Sequence, residues 1–139
     1  MTEDYINGYV ERKSNGAYEG RITIEGITLP SIMGVYFSDE GKNYLWLKRK
    51  KILEYDFESR TYKERDASPQ WEAYLLKSSS TSGVEYRGEF MFLHFRFSIV
   101  GIWDKIMGRD KHRLNLFVER LPQRDQTIIN RINERRKDE

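Results

Sequence analysis

The sequence predicts a mainly β protein, a β-rich α+β chain. Two pseudo-symmetric four-stranded units form one barrel- or sandwich-like domain, followed by a C-terminal α-helix. Three observations predict it. Aromatic residues make up 14% of the 139 residues while proline is scarce, at three, which favours pleated, half-buried segments over disorder. Short alternating apolar segments are separated by glycine-bearing polar turns. The chain also resembles itself. Residues Ser31, Ile32, Met33, Gly34, Val35 and Tyr36 are matched by Ser98, Ile99, Val100, Gly101, Ile102 and Trp103. Tyr18 and Gly20 lie upstream of the first copy as Tyr86 and Gly88 lie upstream of the second.

The self-similarity sets the organisation. Unit one covers about 5–70 and unit two about 71–137, within a single domain 1–139. The spacing from Gly20 to Ser31 exceeds that from Gly88 to Ser98 by one residue, which points to one extra residue near Pro30. Two copies are too few for a solenoid and fit a fused dimer with one shared core.

Strand one is expected over 5–13. Asn15 and Gly16 tolerate positive φ and mark a hairpin. Strand two is expected over 17–29, with Ile22 and Ile24 on one face and a bulge or bend at Gly26, where the alternation changes phase. Strands three and four are expected at 31–37 and 43–51. Residues 52–57 alternate like a further strand, and 58–70 reads as loop. In unit two the strands are expected near 71–77, 84–97, 98–104 and 112–120. Beyond them, Pro122, the stripe of Ile128, Ile129 and Ile132, and the closing Arg131, Arg135 and Arg136 predict a helix over 122–136.

Composition removes several functions. The chain has no cysteine, so disulfide frameworks, thiolate metal sites and cysteine nucleophiles are excluded. No stretch is long and apolar enough for a transmembrane helix, and the start, Met1, Thr2, Glu3, Asp4, lacks a signal-peptide pattern. The expectation is a cytoplasmic protein with no membrane contact. The net charge of +2 is too balanced to imply nucleic acid by itself.

Candidate chemistry is sparse. His94 and His112 show no ligand spacing. Glu54, Asp56 and Glu58 share a face if 52–58 is a strand; they read either as a divalent-ion cluster or as a solvated edge. No phosphate-binding glycine loop or nucleophile elbow is present. The expectation is a non-enzyme with no catalytic residues, no metal and no cofactor.

The most specific segment is 44–51. On a strand, Tyr44, Trp46, Lys48 and Lys50 share one face, and Leu45, Leu47, Arg49 and Lys51 the other. Rings for base stacking followed by cations for phosphate suit single-stranded nucleic acid. The same pattern also suits a strand leaving the core, guarded by cations. The matching segment of unit two retains Arg113 and Arg120. The candidate nucleic-acid-binding set is therefore Tyr44, Trp46, Lys48, Arg49, Lys50, Lys51, Arg113 and Arg120.

In element order, four strands and a helix twice over, the chain resembles the PC4, Whirly and PUR group of folds. That resemblance implies single-stranded DNA or RNA as partner. Two alternatives stand beside it. One is a protein-interaction or homodimer module using the apolar segment 90–103, from Phe90 to Trp103, and the C-terminal helix. The other is a small-ligand β-barrel lined by aromatics.

Overall fold

The computed structural model describes residues 6–80, 83–104 and 112–122. Among them are ten strands and no helix. They are β1 (Gly8–Arg12), β2 (Tyr18–Ile24), β3 (Ile27–Asp39), β4 (Lys42–Arg49), β5 (Ile52–Asp56), β6 (Thr61–Arg65), β7 (Glu72–Ser80), β8 (Gly83–Phe92), β9 (Phe95–Asp104) and β10 (Arg113–Arg120). Eight of them close an antiparallel barrel in the order β1-β10-β9-β8-β7-β4-β3-β2. Within the barrel each strand therefore neighbours the next barrel strand of the chain, and β10 closes onto β1. The β5–β6 hairpin is a separate two-stranded sheet inserted between β4 and β7. The helix expected over 122–136 lies, apart from Pro122, outside the described residues.

Alternation decides which side chains fill the barrel. Val10, Ile22, Leu29, Ile32, Leu45, Leu47, Leu75, Ile99, Leu114 and Leu116 are all inside with at most 1% exposure. Trp71, Phe90, Phe92 and Phe97 pack beneath them, with Trp71 edge-on to Phe90 at 5.3 Å and Phe90 stacked on Phe97 at 5.2 Å. Among the described residues no polar or charged side chain is buried. The barrel is thus filled by its own side chains, one of the two outcomes open to eight strands.

The repeated residues occupy equivalent register positions. Tyr18 pairs with Gly34 and Tyr86 with Gly101; Gly20 pairs with Ile32 and Gly88 with Ile99. Tyr36 pairs with Leu45 and Trp103 with Leu114; Gly34 pairs with Leu47 and Gly101 with Leu116. Gly20 and Gly88 mark where the neighbouring backbone comes closest. A Cβ at Gly20 would lie 1.8 Å from the Tyr9 carbonyl oxygen, and one at Gly88 would lie 2.2 Å from that of Tyr74. A side chain at either place would push the strands apart. The extra residue of unit one sits in a bulge. Gly20 pairs with Ile32 but Ile22 with Leu29, so Pro30 and Ser31 together face Arg21.

Two strand boundaries differ from the expectation. The phase change at Gly26 is the sharp bend of the two alternatives, a two-residue hairpin turn with φ of 47° at Glu25 and 83° at Gly26, and it divides the strand expected over 17–29. The segment expected as one strand over 84–97 is likewise cut by a turn at Leu93 and His94, at φ 50° and 70°. Both have positive φ at each central residue, as the turn matching strand twist requires. Neither glutamate nor leucine announces that geometry in a sequence. The turn at Asn15 and Gly16 is present as expected, with the Ala17 amide donating to Asn15 Oδ1 at 3.0 Å. Within 58–70, read as loop, 61–65 is a strand.

Candidate functional site

The parity of β4 follows the sequence reading. Leu45 and Leu47 fill the barrel, while Tyr44, Trp46 and Lys48 point outward. Strand pairing then adds neighbours that the reading of a single strand did not include. Phe37, Tyr44 and Leu76 form one cross-strand row, and Val35, Trp46 and Tyr74 the next. Phe37 stacks on Tyr44 at 5.2 Å, Trp46 lies parallel to Tyr74 at 5.6 Å, and Phe37 meets Tyr74 edge-on at 6.2 Å. The Lys48 ammonium sits 4.0 Å from the centre of the Trp46 ring. Tyr74, Leu76 and Phe37 remain exposed. The result is an aromatic belt, two residues deep and three strands wide, on the outside of the barrel. Phe37 and Tyr74 carried no cation run to draw attention to them; their alternation with buried neighbours was the only signal.

The cations do not gather with the rings. The Arg49 guanidinium donates to the carbonyls of Pro30 at 3.3 Å and Pro69 at 3.1 Å. It ties the loop before β7 to the β3 bulge, which is a structural task. Lys50 is paired with Glu19 at 2.7 Å. Lys51 is exposed and lines an open groove with Lys48, Asp66, Trp71 and Glu72. Arg113 and Arg120 lie on β10, four strands from β4 around an eight-stranded barrel and thus on its far side. Arg113 is paired with Glu11 at 3.0 Å and covers Tyr9 at 4.2 Å. Arg120 is paired with Glu25 and covers Phe95 at 3.8 Å. The structure therefore brings Tyr44, Trp46 and Lys48 together, leaves Arg49 and Lys51 on the groove beside Lys48, ties Lys50 to Glu19, and sets Arg113 and Arg120 on the far side.

The other candidates resolve in the same way. Phe90, Phe92, Phe97 and Ile99, from the apolar segment proposed for an interface, are buried inside the barrel. Glu54 pairs with Arg65, and Asp56 with Lys63 at 2.8 Å. That lysine, foremost, holds the Asp56 carboxyl below its ordinary value, helped by the Glu58 amide. Among the described residues no three His, Cys, Asp or Glu side chains are grouped to hold a metal, and no helix is long and apolar enough to cross a membrane. His94 occupies a turn. His112 stands at the barrel rim beside Arg12 and Tyr18.

The belt has a twin elsewhere on the barrel. By the same register, Phe37, Tyr44 and Leu76 correspond to Asp104, Arg113 and Glu11, and Val35, Trp46 and Tyr74 to Ile102, Asn115 and Tyr9. Compared with known proteins, the chain matches no family model, no curated protein and no solved structure.

Proposed function

We propose that this barrel is a binding and assembly module, and that the aromatic belt is where a second copy of the chain docks. The comparison of the belt with its twin carries the reading. The same strand geometry, on what we take to be the duplicated half of the chain, is served by Asp104, Arg113, Glu11, Ile102, Asn115 and a single ring, Tyr9. The fold therefore does not require rings at the Phe37, Tyr44 and Trp46 positions, and the clustering of four rings on one side, against the single arginine-covered Tyr9 on the other, points to a contact outside the barrel. Clustered tyrosine, tryptophan and phenylalanine with few charges is the composition of an interface core. The rim carries charges of both signs: Lys48 pairs in register with Glu72, and Tyr74 with Glu89 beside Arg87, the last two already paired within the chain to Arg96 and Glu85. Charges of both signs at one edge let a twofold-related copy place cations on anions.

Six belt side chains are far fewer than the roughly 20–30 residues a side of a standard interface, so the dimer is expected to be weak, with Kd of about micromolar. Sedimentation velocity over a concentration series tests it. The wild-type chain should shift from monomer to dimer, and the Tyr44→Arg, Trp46→Asn variant should stay monomeric. A wild-type monomer at every concentration would remove the reading.

Single-strand binding is the second reading, on one observation. Lys48 and Lys51 have no ion-pair partner among the described residues; Lys48 lies over the Trp46 ring, and Lys51 shares the adjoining groove with Lys48. It predicts anisotropy changes with labelled single-stranded DNA or RNA that weaken steeply with salt and are reduced in Lys48→Gln. The Trp46 ring is already engaged by Tyr74 and Lys48, which leaves it less available to a base. That is why self-association ranks first.

A further inference from the structure

The barrel changes character towards one end. The strands alternate in direction, so the ends of β1, β3, β7 and β9 share this rim with the starts of β2, β4, β8 and β10. The inward-facing layer next to it is aliphatic, with Val10, Leu45, Leu75 and Leu114, and the aromatic side chains Trp71, Phe90, Phe92 and Phe97 lie farther down the core. At the rim the inward-facing residues become Tyr18, Tyr36, Tyr86 and Trp103, which form a closed ring of contacts. Tyr18 meets Tyr36 at 5.4 Å, Tyr36 meets Tyr86 at 5.8 Å, Tyr86 meets Trp103 at 6.3 Å, and Trp103 meets Tyr18 at 5.9 Å. Three of the four contacts are edge-on. Tyr86 is nearly buried, whereas Tyr36 keeps 39% of its surface exposed. The quartet is thus reachable from solvent through Tyr36.

Cations stand on the same inward-facing register. Arg12 pairs across the sheet with Tyr18, and Lys77 with Tyr86. These are corresponding positions in the two halves, so this arrangement recurs, whereas the outer belt does not. Both cations are exposed, and neither has an ion-pair partner among the described residues. Arg12 lines an open dish with Lys13, Ser14, Tyr18 and His112. The dish meets the aromatic ring through Tyr18. Burial foremost pushes the Tyr36 and Tyr86 phenols above their ordinary value, so both remain protonated donors at neutral pH.

We infer that this rim is a binding site for a small aromatic anion, with the ligand's ring on the tyrosine–tryptophan quartet and its acidic group held by Arg12, Lys77 and neighbouring phenol hydroxyls. Ring edges carry partial positive charge and favour an electron-rich π-face. Unpaired cations beside protonated phenols favour an anion over a neutral or cationic group. Barrel mouths are a common place for such sites.

The test uses two fluorescent probes of similar size: 8-anilinonaphthalene-1-sulfonate, an aromatic anion, and N-phenyl-1-naphthylamine, its uncharged counterpart. The native chain should bind the sulfonate saturably and one to one. Arg12→Gln and Lys77→Gln should each weaken that binding by about five- to tenfold while leaving the neutral probe within about twofold. Both residues are exposed, so neither substitution threatens the fold, and an unchanged circular dichroism spectrum confirms this. Non-saturable sulfonate binding, or binding indifferent to both substitutions, overturns the site. The Tyr44→Arg, Trp46→Asn variant should bind the probe as the native chain does. Loss of binding in that variant would place the probe on the outer belt and overturn the rim assignment. The dimer and the rim site therefore fail independently.

Discussion

Replacing Tyr44 and Trp46 by the residues of their twins, Arg113 and Asn115, should dissolve the belt while the barrel survives. The cost can be built from the contacts. The Phe37–Tyr44 and Trp46–Tyr74 stacks are worth about 0.5–1.5 kcal/mol each beyond their buried area. The Lys48 contact with the Trp46 ring adds about 0.5–1 kcal/mol. Against this, the Trp46 indole N–H is buried with no hydrogen-bond partner among the described residues, a penalty of about 1–3 kcal/mol that the substitution lifts. These contact terms balance to a loss of roughly 1 kcal/mol, and the apolar area of two half-buried rings adds about 1–2 kcal/mol, for a fall in Tm of about 8 °C at this size. A domain stable by about 5–15 kcal/mol stays folded. Urea denaturation followed by circular dichroism measures the loss, and sedimentation velocity reads the oligomeric state in the same samples. A loss above about 4 kcal/mol, or failure to fold, would show that the rings are part of what holds the barrel together. The comparison of the two faces would then carry no functional argument.

Gly20→Ala should be among the most damaging single substitutions, costing more than about 3 kcal/mol, because its Cβ would overlap the Tyr9 carbonyl; a soluble, native-like variant in thermal denaturation would contradict the register described above. Leu47→Ala removes a fully buried side chain and should cost about 3 kcal/mol in urea denaturation, whereas a loss below about 1 kcal/mol would mean the site collapses onto the space. On the alkaline side, Tyr36 and Tyr86 keep their protons in the folded barrel above the ordinary value of 10.0, burial being the first cause. The unfolded chain releases those protons first, so their contribution is intact below about pH 10 and is lost as pH climbs towards the folded-state value. Absorbance titration should show late-ionising phenols, and Tyr36→Phe should blunt the alkaline fall in Tm. On the acid side, the Arg113 guanidinium foremost holds the Glu11 carboxyl below its ordinary value. That contribution is present above pH 4.5 and is lost as pH falls through the folded-state value. Glu11→Gln should flatten the acid limb of the Tm profile slightly, since a partly exposed pair is worth at most about 1 kcal/mol.

Much of the architecture was legible because strand alternation and turn chemistry are local. The parity of β4 could be read from Leu45 and Leu47 alone, and the turn at Gly16 from its dipeptide. The spacing difference of one residue near Pro30 has its counterpart in the β3 bulge. Legibility ended where positive φ fell on Glu25, Leu93 and His94, residues that take it only because the sheet on either side holds them there. The candidate site was half legible. Tyr44, Trp46 and Lys48 share their face as the alternation required. The fate of the remaining cations depends on partners distant in the chain: Arg113 on Glu11, Arg120 on Glu25, Lys50 on Glu19.

By itself the sequence determined that the chain is β-rich, which residues alternate into the core, and that its two halves carry the same pattern of tyrosine, glycine and leucine. Each of these rests on a period of two residues or on a repeat, and both are properties of the chain read in order. Only the tertiary structure decided that the sheet closes, because closure depends on β10 meeting β1 across more than one hundred residues. Closure in turn moved the apolar segment of β8 and β9 into the barrel, set Arg113 and Arg120 opposite the aromatic belt, and brought Tyr18, Tyr36, Tyr86 and Trp103 from four strands into one ring. Which side chains meet across a barrel is fixed by strand number and register, and these are relations between segments.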